Sequence, residues 1–133
     1  FAGVSWSCNA PSDARLKTNI SNLSGSLGKI LSLRPVSYEW VHPELHTPGV
    51  QAGFLAQDVE PIFPKWVNES MPQGADAALI PAGEKAKTLA FPSDFNVYVV
   101  GAFKEQQAQI ESLKAEIKAI REKGLQSSAF DKT

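Results

Sequence analysis

The sequence predicts an α+β chain: a small mixed domain of short helices and strands, a loose segment over 69–88, and a long C-terminal helix that associates with copies of itself. Three observations carry this expectation. Val99, Phe103, Gln106, Ile110, Leu113, Ile117 and Ile120 recur at alternating steps of four and three, which is a heptad seam. Val36, Tyr38 and Trp40 alternate with Ser37 and Glu39, the pattern of a half-buried strand. Leu16, Ile20, Leu23, Leu27 and Ile30 keep helical spacing, but Ser21, Asn22, Ser24, Gly25, Ser26 and Gly28 dilute it, so any helix there is short.

A chain of 133 residues with 43% apolar and 20% charged side chains holds one modest domain. A formal charge of −1, with no Lys/Arg run interleaved with aromatics, gives no electrostatic reason to expect nucleic acid or an anionic membrane as partner. A single cysteine, Cys8, excludes an intrachain disulfide and a cysteine-rich metal site. Phe1 is not an initiator residue, so the expectation is the end of a longer polypeptide, without a signal peptide. No apolar run approaches the ~20 residues that a membrane helix needs.

In chain order, residues 1–11 read as an extended segment with Val4 and Trp6 on one face, ended by Asn9 and Pro11, the last piece of something upstream. A break is expected near Ser21 to Ser24, then a short helix from about Ser24 to Leu33. The fragment SGSLGK is not a phosphate loop, since Leu23 stands where the first glycine belongs and Ile30 where Ser or Thr should follow the lysine. No cofactor is expected. Pro35 opens the Val36–Trp40 strand. His42 and His46 lie four apart, but the glutamate of HPELH is misplaced for a zinc-protease helix and prolines bracket it, so a solvated loop is expected and no metal. Gln51 to Leu55 reads as a strand with Gly53 at a close approach, and Gln57 to Ile62 as a turn or two of helix ended by Pro64. Residues 69–88 hold few large apolar groups, two Pro and two Gly, so this segment buries little surface against its own domain.

The C-terminal helix is expected over 93–123, capped by Ser93, with a frayed tail over 124–133. Phe103, Ile110 and Ile117 take the a positions, and Gln106, Leu113 and Ile120 the d positions. β-branched residues at both permit a trimer, and the one polar Gln106 layer sets register. In a parallel assembly Glu116 of one chain meets Arg121 of the next. The competing reading is an amphipathic helix packed on its own domain.

The densest chemistry lies in Ser12-Asp13-Ala14-Arg15-Leu16-Lys17-Thr18-Asn19-Ile20, directly after Pro11, which stops any helix running in from upstream. The plain structural reading makes Ser12 an N-cap, places Asp13 at the positive end of a helix, and pairs Asp13 with Lys17 at i,i+4.

The order of this stretch, then LRPVSYEW over Leu33–Trp40, GFLAQDVE over Gly53–Glu60, Phe63-Pro64 and Val67, resembles the endosialidase-type intramolecular chaperone. That family comprises self-cleaving C-terminal domains of phage tailspikes and tail fibres. The resemblance runs from about Ser12 to about Ile120, and its motifs SDxRLK and GFxAQ(D/E)VE are specific in this order and separation. It implies that 12–92 form a chaperone and self-cleavage domain whose arm, at about 69–88, reaches towards the partner fibre. It also implies that Ser12 is the nucleophile attacking the carbonyl before it, that Lys17 is its general base, and that the cut falls between Pro11 and Ser12. Arg15 would help to depress the Lys17 pKa or orient the oxyanion, and Asp13 would hold one of these cations. The expected partners are two further copies, forming a homotrimer, and the upstream fibre of the same polypeptide. The setting implied is host cytoplasm during virion assembly, with the fibre ending on the virion tail for host-cell attachment and the chaperone released. The family also has membrane-tethered eukaryotic relatives, and the missing span favours the phage type.

Two functions follow. One is a trimeric folding clamp that releases itself in a single-turnover serine-peptidase cut. The other is an uncleaved trimerisation or receptor-binding tip of the fibre. Geometry adds a condition: positions i and i+5 of a regular helix are about 140° apart, so Ser12 and Lys17 meet only if the segment is not helical or if the lysine comes from another chain.

Overall fold

In the computed structural model, which describes residues 11–90, 92 and 94–131, one buried cluster of Leu33, Val59, Phe63 and Trp66 holds the domain together. The extended reading of residues 1–10, with Cys8, and the Ser93 cap lie outside the described residues. Phe63 and Trp66 flank Pro64, which opens a 3-10 turn over Pro64–Trp66 at the position where its missing N–H costs nothing. That turn lays the two rings face to face, centroids 3.7 Å apart. Pro64 therefore starts a turn rather than ending the preceding helix.

Among the described residues seven helices and strands surround this cluster: α1 Ser26–Ser32, β1 Val36–Tyr38, β2 Gln51–Gly53, α2 Ala56–Val59, β3 Val67–Ser70, β4 Ala86–Leu89 and α3 Phe95–Phe130. The serine- and glycine-rich break expected at 21–24 is present, and it delays α1 to Ser26, where Gly25 turns the chain with φ 74°. β1 and β2 pair antiparallel, with Val36 opposite Gly53. A Cβ on Gly53 would lie 3.3 Å from Tyr38 Cε1, so the close approach expected there is real. β2 stops at Gly53, short of Leu55, and α2 starts at Ala56, ahead of Gln57.

The segment at 69–88 is more ordered than its composition suggests. β3 and β4 form an antiparallel hairpin with Val67 opposite Leu89 and Ser70 opposite Ala86. The connection carries a 3-10 stretch over Gly74–Leu79. Lys87 forms an ion pair with Glu60 just after α2, which ties the hairpin to the body, while most residues between the strands are exposed. Its tip meets the loop after β1, where His46 Nε2 lies 2.6 Å from Asp76 Oδ2 and the Trp40 indole stacks on the His46 ring at 3.9 Å. His42 pairs with Glu44 instead, so the two histidines face different carboxylates. Among the described residues no group of three or more His, Cys, Asp and Glu is arranged to hold a metal.

α3 runs 36 residues, about 54 Å at 1.5 Å per residue, and continues through Gly124 to Phe130 where a frayed tail was expected. Only its first turns are docked. Phe95 and Tyr98 set their rings edge-on to Trp66 and Phe63, and Ala102 is buried. Glu105 reaches the start of α1, where its carboxylate accepts from Ser26 N at 3.0 Å and Leu27 N at 2.9 Å. From Gln106 onward every residue of the helix is exposed. No helix of the described residues is long and apolar enough to cross a membrane.

Candidate functional site

Asp13 organises the stretch that follows Pro11. Its backbone is extended, its side chain accepts from Arg15 N at 2.9 Å, and a single 3-10 turn over Ala14–Leu16 follows. The cap is thus Asp13 and not Ser12, because the turn begins at Ala14 and Asp13 is the residue immediately before it. The same carboxylate takes the Arg15 guanidinium in two bonds, Nε to Oδ1 at 3.0 Å and Nη2 to Oδ2 at 2.7 Å. The Asp13 carboxyl is held below the usual carboxylate range by the Arg15 side chain first and the Arg15 N–H second, and Arg15 is raised in return. The i,i+4 pair of Asp13 with Lys17 is not formed; Arg15 is the cation that Asp13 holds.

Lys17 is thereby left for Ser12. Its Nζ donates to Ser12 Oγ at 2.8 Å within one chain. Two backbone features allow this. The 3-10 turn closes with Leu16 N to Asp13 O and Lys17 N to Ala14 O, both at 3.1 Å, and Lys17 itself is extended at φ −121°, ψ 151°. The segment is not an α-helix, so the 140° separation does not arise and no second chain is needed to bring the two side chains together. Pro11, Ser12, Asp13, Arg15 and Lys17 are all exposed. The arrangement aligns a hydroxyl and an amine on one line, immediately after a peptide carbonyl.

The seam residues lie far along α3. Val99, at the docked start of the seam, is half-buried, but Phe103 is 67% exposed and Ile110 40%, and Gln106, Leu113, Ile117 and Ile120 are exposed as well. From Phe103 on, the helix does not pack this face on its own domain.

Two residues that position this architecture were not singled out from the sequence. Glu105 has its carboxyl held below the usual range, chiefly by the Leu27 N–H and then the Ser26 N–H, with partial burial acting the other way. Gly101, one turn earlier, lets α1 approach so closely that a Cβ there would lie 2.6 Å from Ser26 Oγ. A glycine inside an otherwise strong helix, followed four residues later by a glutamate on the same face, is the signal that could have found them.

No curated protein matches the chain. Residues 12–68, from Ser12 through Asn68, match the model of the peptidase S74 family, described as chaperone of endosialidase, and this is the family that the motifs of the chain resemble.

Proposed function

We propose that this chain is an intramolecular chaperone that assembles as a trimer, helps an upstream phage tail fibre or tailspike to fold, and then releases itself by cutting the Pro11–Ser12 bond. The observation that carries the cleavage reading is the 2.8 Å contact of Lys17 Nζ with Ser12 Oγ, one residue past that bond. In the reacting state the proton on this line runs the other way, from the hydroxyl to a neutral amine. Ser12 Oγ then bonds to the Pro11 carbonyl carbon, and the C–N bond breaks as Lys17 passes its proton to the Ser12 nitrogen. Water hydrolyses the resulting ester, leaving a Pro11 carboxylate and a free Ser12 hydroxyl and amine. A lysine serves as a base when it is taken out of water or set beside another cation. Both groups are open to solvent in the lone chain, so neighbouring chains are the natural cover, and this links the cut to assembly.

The trimer reading rests on the exposed Phe103–Ile120 seam, whose apolar a and d side chains a lone helix leaves in water. Registering three chains in this way lowers the loop-closure cost of the non-local β-structure upstream. A second reading, the uncleaved tip, is favoured by Pro11, whose ring restricts the acyl group to be attacked.

Intact mass of the chain, with and without Ser12→Ala, separates the two. Self-cleavage predicts a product beginning at Ser12 from the parent and none from Ser12→Ala. Equal cutting of both overturns the nucleophile, and a parent that trimerises and stays whole leaves the tip.

A further inference from the structure

Asn19 is the one non-glycine residue with a positive φ, 53°, among the described residues. It lies two residues beyond Lys17, in an exposed bend that belongs to no helix or strand. L-residues avoid this left-handed conformation; asparagine tolerates it better than others through its short polar side chain, and β-branched residues tolerate it least. Sparsely populated backbone conformations persist where the surroundings or the function require them. Here no buried packing surrounds the residue, since 11–24 are exposed throughout.

The geometry points to Asn19 as a positioning residue for the Ser12–Lys17 pair. On the N-terminal side Lys17 is fixed by the 3-10 turn and by Asp13, which caps that turn and clasps Arg15. On the C-terminal side nothing regular follows until Ser26, whose N–H is anchored on Glu105. Lys17 must be extended for its Nζ to reach back five residues to Ser12, yet an extended chain left to continue would carry on away from α1. The left-handed residue at 19 turns the chain, so that Lys17 keeps its extended backbone while residues 20–25 lead into α1. The conformation, and not the amide group, is what the site uses.

This assignment rests on the self-cleavage reading, and the test keeps the two apart. Asn19→Val and Asn19→Gly are compared with the parent chain by intact mass for the Pro11–Ser12 cut, and by NMR for the Overhauser contact between the Ser12 Hβ and Lys17 Hε protons. Valine should slow the cut about tenfold, the equivalent of its cost in the left-handed region, and weaken the contact. Glycine, which enters that region freely, should rescue both, and all three chains should melt alike. Cutting by Asn19→Val at the parent rate overturns the assignment, as does equal loss in both variants. A parent that is not cut overturns self-cleavage, and the proton contact then decides on its own: unchanged in Asn19→Val, it removes Asn19 from the role.

Discussion

Asp13 and Lys17 divide the two jobs that a short polar stretch has to do. Asp13 takes the Arg15 N–H and the Arg15 guanidinium together, and this leaves the amine of Lys17 for the Ser12 hydroxyl. A carboxylate shared between both cations would pull Lys17 off that line. Lys17→Arg tests whether the amine is a base or a surface charge. A guanidinium keeps the positive charge and can still donate to Ser12, but it does not give up its proton near neutral pH. Cleavage measured by intact mass should be lost, with the melting temperature unchanged because residue 17 is exposed. Normal cutting by this variant would make Lys17 a solvated charge.

At the scale of elements, the junction of α1 with α3 decides how the site-bearing segment is attached to the long helix. The two contacts there, Gly101 against Ser26 and Glu105 on the N–H groups of Ser26 and Leu27, make different predictions. Gly101→Ala adds a methyl 2.6 Å from Ser26 Oγ and 3.0 Å from Ser26 Cβ. Overpacking of this kind costs about 1–3 kcal/mol, against about 1 kcal/mol gained by replacing a helical glycine with alanine. Thermal unfolding should therefore show a net loss, and Ser26→Gly in the same chain should recover much of it. At Gly124 nothing lies within 4 Å, so Gly124→Ala should raise helix stability by about 1 kcal/mol, seen as greater ellipticity.

Glu105 makes the same junction sensitive to acid. Its carboxyl is depressed in the folded chain, so the unfolded chain binds the proton more readily. Its stabilisation is complete above the usual carboxylate range and is lost as pH falls through the lower, folded value. The parent should lose melting temperature on acidification more steeply than Glu105→Gln, whose amide does not titrate. Parallel curves for the two chains would show that the carboxylate contributes no such linkage.

For the whole molecule, the balance lies between a small core cluster of four buried side chains and a helix whose outer two-thirds, from Gln106 on, are exposed. A lone domain gains little from such a helix; three copies would bury the seam. In the proposed trimer, Ile117→Asp would place three like charges on one axis, at a cost of several kcal/mol that a three-heptad seam does not absorb. Light scattering should then report a monomer, and the cut at Pro11–Ser12 should slow, because the pair loses the cover of neighbouring chains. A monomer that cuts at the parent rate would make the site self-sufficient in one chain. An intact trimer would place the interface elsewhere.

The four-three periodicity of α3, the strand that starts at Val36 and the break before α1 were legible in the sequence, because each is a matter of spacing between residues near one another in the chain; the strand ends at Tyr38, short of the Trp40 expected. Periodicity of four and three needs only the helix repeat, and alternation needs only the pleat. Which partner each side chain takes was not legible. Asp13 could reach either cation, and in the fold the 3-10 turn over Ala14–Leu16 and the extended backbone of Lys17 go with Arg15 on Asp13 and Lys17 on Ser12. The segment at 69–88 looked loose because its order comes from backbone pairing between strands, which shows little in side-chain composition. Glu105 and Gly101 acquire their roles from residues 25–27, more than seventy positions away, where an exposed-looking glutamate becomes the cap of another helix. Local chemistry names the groups, and long-range packing together with a few backbone angles decides which of them meet.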